Sequence, residues 1–457
     1  MKSVFALNQQ VFNSNINYIS YNFISPMKKS ILSFLVLYAL LFSALLPAKV
    51  LAEERAYLDI TSPEARKIHF AVPWFAGKGS QDQQQPLGKE LADILGNALQ
   101  FHGIISIVPA KSYGGDQAAD WKKLGVDYVI LSQYSTSADG LNLELRLLDV
   151  TNGGILMGKA FNGGMNQKDE MLFKFCDSVI KELTGEQGIA LSQIAFVSLN
   201  TKMKEVFITD ILGHHFRQVT RHKNLVVSPR FTPNGIFLSY TSYHTGNQNL
   251  YITDLRQSQT TRALSRRKGM NLAPAWAPDG RTMIVTLSFD GNPDLYLLDS
   301  QGEILEQLTR NEGINVTATY SPDGKQIVFV SDRSGKPQLY LMDLASKRVQ
   351  RLTFSGQENA EPSWSPKEDL IVYSSLTEGL YQICTIKPVP NAAPTQVTKD
   401  LMNNESPSWS PDGNQIVFSR QVGGIHKIYA ILKNGSFERQ LFSYAGSQSY
   451  PRWARMQ

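Results

Sequence analysis

His214 and His215 are the one adjacent pair among the chain's seven histidines. Successive side chains on an extended segment point to opposite faces, so the two converge poorly on a metal. They fall between Asp210 and Phe216, in a segment that reads as a hairpin loop. Cys176 lies in an apolar helical stretch and Cys384 in a strand-like run, and both read as buried thiols. Two cysteines are too few for a disulfide scaffold or a cysteine zinc site. No Gly-x-Ser-x-Gly elbow, His-Glu-x-x-His pair, P-loop or Cys-x-x-Cys pair occurs. Asp-Gly recurs at Asp279-Gly280, Asp323-Gly324 and Asp412-Gly413, with Asn234-Gly235 in a fourth place. Those side chains could offer oxygens to a cation, but between apolar runs the pair reads first as a hairpin turn, since Gly takes positive φ without strain. The sequence therefore predicts no catalytic, cofactor-binding or metal-ligating residues.

The turns belong to a repeat of 44–45 residues, marked by an aromatic residue two before a proline. Its copies are Phe231 and Pro233, Trp276 and Pro278, Tyr320 and Pro322, Trp364 and Pro366, and Trp409 and Pro411, with Trp453 continuing the series. After each turn comes a short run of branched and aromatic residues. A second run follows, marked by Phe207, Tyr251, Tyr296, Tyr340, Tyr381 and Tyr429, and then a third, marked by Val219, Leu264, Leu308, Leu352, Val397 and Leu441. Four short strands per repeat of this length predict a β-propeller blade. If the aromatic–proline strand is the first of each blade, the chain enters the series at a second strand, Ile194–Ser198, and ends on a first strand at Trp453. The two ends then complete one shared blade, giving six blades and leaving no open sheet edge. A solenoid is the competing architecture, but solenoids need capping repeats rather than a split one.

Ahead of the repeat, residues 53–187 read as a compact α/β domain with a mixed sheet, in the order βαβαβββα. Strands are expected at Ile68–Val72, Ile104–Val108, Tyr128–Gln133, Leu141–Leu148 and Ile155–Phe161. Helices are expected at Leu87–Leu99, Asp116–Leu124 and Lys168–Leu183, the last stopped by Gly185. The fold class is thus an α/β N-terminal domain followed by an all-β six-bladed propeller, residues 188–457, with split-blade closure. A length of 457 residues suits two or three domains, and 42% hydrophobic content excludes a polytopic membrane protein or a disordered chain.

The net charge of +5 misleads if read as a nucleic-acid footprint. Residues 1–52 hold Lys2, Lys28, Lys29 and Lys49 and no acidic residue, while the remainder is nearly neutral. Lys28-Lys29, the apolar run Ile31–Leu46 and the small-residue site before Glu53 read as a secretory signal, with translation starting at Met27 and cleavage after Ala52. An uncleaved anchor would need a longer apolar run. The expectation is an exported protein with no membrane insertion after cleavage and no nucleic-acid partner. Residues 53–187 carry a net −5 and residues 188–457 a net +6, a difference that favours docking of the two parts.

Two surfaces remain. Five residues before the blade aromatic stand Asn271, Asn315, Asn359, Asn404 and Gln448, with Val226 breaking the series. Asparagine there either braces its own loop or forms a polar ring at the channel mouth for a protein or peptide, and both roles can hold. Arg266, Arg267 and Lys268 would flank it on one side, Glu361 and Glu405 on another. The second surface is the segment Glu53, Glu54, Arg55, Ala56, Tyr57, Leu58, Asp59 and Ile60, which either frays or adds as a strand to a partner's sheet.

Trp-Ser-Pro-Asp-Gly turns, the run Leu183–Gly188 leading into Ile194–Ser198, and the blade segment Leu339–Leu344 together resemble the TolB family, the periplasmic component of the bacterial Tol–Pal system. The resemblance covers the whole chain beyond the signal. It implies a non-enzymatic adaptor between the outer-membrane lipoprotein Pal and TolA, supporting outer-membrane integrity and cell division, with other outer-membrane proteins as further candidate partners. It places Pal at Met270, Asn271, Ala273, Asn315, Val316, Asn359 and Asn404, and TolA on Glu53–Ile60. The segment from Pro366 to Asp369 departs from the family's Asp-Gly turn, and Glu53–Ile60 is less regularly apolar than the family's peptide. The alternative is an exported propeller enzyme or small-ligand sensor, which would need convergent acid–base residues in the channel.

Overall fold

A computed structural model of the chain describes residues 66–79, 85–138, 140–200, 203–256 and 260–454. The leader, the cleavage site and Glu53–Ile60 lie outside the described residues.

The first part is a mixed sheet with two helices. Strands β1 (Ile68–Ala71), β2 (Ala76–Gly77), β3 (Ile105–Ile107), β4 (Tyr128–Ser137), β5 (Gly140–Asp149) and β6 (Ile155–Gly163) run in the order β3-β1-β4-β5-β6. β1 pairs in parallel with β3 and β4, and β4, β5 and β6 are antiparallel. β2, which the sequence did not announce, adds in parallel to β4. Period-two alternation sends neighbouring residues to opposite faces: Ile130 packs with the helices, whereas Val129 packs with Trp121. Helices α1 (Gln85–Phe101) and α2 (Lys168–Thr184) cover the first face. Leu91, Leu95, Leu99, Leu172, Phe175 and Val179 are fully buried there, each contributing about 1.5–3 kcal/mol through removal from water. Gly185 ends α2 at φ 75°, donating its N–H to the Lys181 carbonyl.

Asp116–Leu124 is not the expected helix but a run of turns. Asp116 accepts the Ala118 N–H and Asp120 the Lys123 N–H. Such short side chains offer the backbone an alternative to helical bonding.

The remainder forms six four-stranded sheets. Five are contiguous, with first strands at Val226–Phe231, Asn271–Trp276, Asn315–Tyr320, Glu358–Trp364 and Asn404–Trp409. The sixth pairs Gln448–Trp453 from the end of the chain with Gln193–Ser198, Glu205–Asp210 and Arg217–Gln218 from its middle. Trp453 opposes Ile194, so the split-blade closure stands as the repeat phase requires. Cross-strand pairs Phe196–Phe207, Tyr240–Tyr251, Phe329–Tyr340 and Phe418–Tyr429 occupy equivalent places in their blades. In the fourth contiguous blade the partner of Tyr373 is Cys384. Tyr381, read as the strand marker there, sits three residues earlier and opposes Leu376.

The two parts meet through apolar packing, hydrogen bonds and a few charged pairs. The Phe101 ring lies edge-on to Trp453 at 5.8 Å, and the Phe101 carbonyl accepts from Gln415 and Arg439. The exposed Lys367–Glu186 pair, 2.9 Å, adds little, since solvent screens it.

Candidate interaction faces of the propeller

The Asp-Gly residues are turn residues. Gly280, Gly324 and Gly413 take φ near 70°, and Asp279, Asp323 and Asp412 each accept a backbone N–H two residues on. Where Lys367 and Glu368 replace Asp-Gly, the Ser365 hydroxyl accepts both their N–H groups and closes the turn instead.

The opposite ends of the first strands carry the asparagine series. Asn271, Asn315, Asn359, Asn404 and Gln448 are all fully buried. Asn271 donates to the Gln248, Arg267 and Gly269 carbonyls and accepts from the Arg267 N–H. Asn315 donates to Asp294 and the Gly313 carbonyl and accepts from Arg333. Asn359 donates to Gln338 and the Ser355 carbonyl. Asn404 donates to Gln382, Asp400 and the Met402 carbonyl and accepts from Arg420. Their side chains are therefore braces of the inter-blade loops, the first of the two roles read from the sequence, and none of the four presents its amide as an open polar ring.

A latch missed in the sequence completes three of the seams. Thr309, Thr353 and Thr398 donate to Asp294, Gln338 and Gln382, which in turn accept from Asn315, Asn359 and Asn404 of the next blade. The available signal was a Thr directly after each third-run marker at Leu308, Leu352 and Val397.

What those loops expose is different. Met270 and Val316 are half-buried, and Ala273 lies in the strand Asn271–Trp276. On the same loops Ile314, Phe354, Leu401 and Met402 are exposed, as is Leu199 in the adjoining hairpin of the shared blade, with Leu401 89% accessible. Arg266 and Lys268 are exposed beside them. Inside the channel the residue three before the blade aromatic takes a left-handed φ at Ser228, Thr317, Glu361, Ser406 and Tyr450, each within an irregularity of register. Such a bulge re-aims side chains. It turns the Glu361 carboxylate to Ser406, whose N–H and hydroxyl donate to it at 2.6 and 2.7 Å.

The histidines and cysteines do structural work. His214 bonds Asp169 of α2 at 2.7 Å, and His215 approaches the same carboxylate at 3.3 Å. His102, Cys176 and Asp177 cluster in the core. The Ile189 N–H donates to His102 Nε2, so Nδ1 carries the proton and faces the Ala98 carbonyl at 3.0 Å. Both ring nitrogens are thereby engaged, and Asp177 accepts from the Ala190 and Leu191 N–H groups. Burial lowers the His102 pKa and raises those of Cys176 and Asp177, favouring neutral groups that clip the connection into the propeller. Cys176 and Cys384 are free and buried. No helix among the described residues is long and apolar enough to cross a membrane.

Residues 180–457 match the family model described as the TolB beta propeller domain, and residues 56–156 match the TolB amino-terminal domain. The chain belongs to the TolB family. Among curated TolB relatives, Tol-Pal system protein TolB of Desulfotalea psychrophila is 57% identical over 216 residues, 47% of this chain and 49% of that protein. Its namesake in Desulfosudis oleivorans is 36% identical over 227 residues, 47% of this chain and 52% of that one. In these alignments the chain spans about half the length of the curated relatives it matches. The crystal structure of TolB from Acinetobacter baumannii superposes with a TM-score of 0.75 at 27% identity, covering 86% of this chain and 98% of that one.

Proposed function

We propose that this TolB-family chain is a non-enzymatic, exported adaptor of the Tol–Pal system that binds Pal through the loop face of its propeller. The observation that carries this reading is the set of exposed apolar side chains, Ile314, Phe354 and Leu401, on loops whose backbones are fixed by buried amides. Apolar groups held out on rigid loops favour association with another protein, because the loops lose little entropy on binding. Met270, Asn271, Ala273, Asn315, Val316, Asn359 and Asn404 remain the positions proposed for this face, with the buried amides acting through loop shape. TolA is proposed to take the segment Glu53–Ile60, after removal of a leader at 1–52 that directs the 53–187 and 188–457 domains to the periplasm. Support of outer-membrane integrity and cell division is the proposed consequence.

The test is titration of purified soluble Pal domain into the exported chain. Ile314→Glu with Leu401→Glu is expected to weaken binding at least tenfold while thermal unfolding stays unchanged. Unchanged affinity in that variant would remove the face from consideration.

A further inference from the structure

One layer of the channel is built from the residue just before each blade aromatic. Its members are Arg230, Ala275, Thr319, Ser363, Ser408 and Arg452, and all six line a single cavity of about 140 Å³. Arg230 and Arg452 stand on the first strands of the blades where the ring closes. Arg452 is 7% exposed. Its Nη1 donates to the carbonyls of Ser406, Pro407 and Pro451 at 3.0, 3.2 and 2.8 Å. Arg230 Nη1 donates to the Pro229 carbonyl at 3.0 Å. Among the described residues, no carboxylate oxygen lies within 4.0 Å of either guanidinium. Glu361 is the carboxylate that acts on both electrostatically, but its oxygens are taken by Ser406 and Ser374.

The two cations, Arg452 buried and Arg230 half-buried, thus line one cavity and donate only to neutral acceptors. Burial lowers the pKa of both, Arg452 to about 10, and Arg452 lowers that of Arg230 further. A guanidinium does not give up its proton in a protein. The shifts therefore express an unfavourable site for positive charge, which a negative ligand would relieve. The rest of the layer supplies hydroxyls. Thr319 Oγ1 accepts the Trp364 N–H and Ser408 Oγ the Trp453 N–H, each at 3.3 Å, which leaves the hydroxyl protons for another acceptor. The cavity exceeds the roughly 30 Å³ of one water, leaving room for a small anion.

We propose that this cavity binds a small oxyanion, a phosphate or a single carboxylate, clasped by Arg230 and Arg452 with the hydroxyls of Thr319, Ser363 and Ser408 completing the shell. Guanidinium forks suit both anions because their paired N–H groups match two oxygens. The site lies inside the channel, apart from the loops proposed for Pal.

The experiment is calorimetric titration of the full chain with sodium phosphate and, separately, sodium acetate, at ionic strength held constant with chloride. Saturable binding at one site per chain is expected. A response to phosphate alone assigns a tetrahedral oxyanion, and a response to acetate assigns a carboxylate. Arg230→Gln should weaken binding at least tenfold, Arg230→Lys should restore part of it, and Arg281→Gln, on an exposed turn, should change nothing. Arg452→Gln is a poorer probe, since Arg452 also holds three carbonyls. Crystals soaked in selenate should show an anomalous peak between the two guanidiniums. Absence of saturable binding to either anion, affinity unchanged by Arg230→Gln, or a selenate peak elsewhere would each overturn the proposal.

Discussion

Asn315 Nδ2 donates to Asp294 Oδ1 at 3.0 Å across the seam between two blades, and both residues are almost wholly buried. The same carboxylate accepts the Thr309 hydroxyl at 2.7 Å and the Asn311 N–H at 3.1 Å. A buried carboxylate needs such donors in place of water. Asn315→Ala removes one donor from Asp294 and one acceptor from Arg333. It is expected to cost about 1–3 kcal/mol of stability. Urea unfolding should show this as a lower midpoint with unchanged slope, and a midpoint within error of the parent would contradict the bracing role.

Trp453 holds the ring closed and joins it to the α/β part. Its indole N–H donates to Ser192 at 2.6 Å, its ring meets Phe101 edge-on, and it is 6% exposed. Truncation of a buried tryptophan typically costs about 3–5 kcal/mol. Trp453→Ala should fall in that range, and Trp276→Ala, at a half-buried position in a contiguous blade, should cost less. Far-ultraviolet circular dichroism during urea unfolding checks the order without relying on tryptophan fluorescence.

The His214–Asp169 pair gives stability a pH signature. The hydrogen bond to Asp169 holds His214 above its ordinary value of 6.5. Burial pushes Asp169 up, but His214 and His215 outweigh it and hold the carboxyl below 3.8. The raised histidine contributes stability that is complete below 6.5 and lost as pH rises through its folded value. The depressed carboxylate contributes stability that is complete above 3.8 and lost as pH falls through its folded value. The pair is therefore most stabilising between those two ordinary values. With the His214 side chain 36% exposed, screening limits the effect to no more than about 1 kcal/mol. The stability difference between the parent and His214→Gln should peak inside that window and shrink on both sides. A difference that stays flat across pH would show that the pair is not charged in the folded state.

The propeller was legible because its determinants are local and repeated: a turn residue at Gly280 or Gly324, an aromatic before a proline, a strand after each turn. Even the shared blade followed from where Ile194 and Trp453 fall in the repeat. The Asp116–Leu124 segment was not legible, because apolar spacing looks helical until the competing bonds of Asp116 and Asp120 to their own backbone are counted. Tyr381 misled for a related reason, since a short hairpin shifts the register and hands its place to Cys384. At the loop face the positions of Asn271 and Asn315 were readable but the direction of their amides was not. Direction depends on partners such as Gln248 and Asp294, which stand about twenty residues earlier. The pairing of Arg230 with Arg452 was further out of reach. It exists only because ring closure brings together strands more than two hundred residues apart.

Helix α1 contains two glycines whose replacement should act in opposite directions. Alanine within a helix is ordinarily better than glycine by about 0.8–1 kcal/mol. At Gly96 an added Cβ would meet only Ile107, at an ordinary contact distance of 3.9 Å, so Gly96→Ala should be neutral or stabilising by up to that amount. At Gly88 the same atom would overlap the Phe75 carbonyl oxygen and crowd the Phe75 carbonyl carbon at 3.3 Å. Phe75 cannot yield easily, because its N–H donates to the Gly88 carbonyl at 3.1 Å and its ring is buried in the core. The helix itself must move, and overpacking of this kind costs about 1–3 kcal/mol, more than the gain in propensity. Gly88→Ala is therefore expected to lower the unfolding midpoint while Gly96→Ala holds or raises it. If both variants raised the midpoint, the close approach of α1 to Phe75 would be refuted, since helix propensity would then govern both sites.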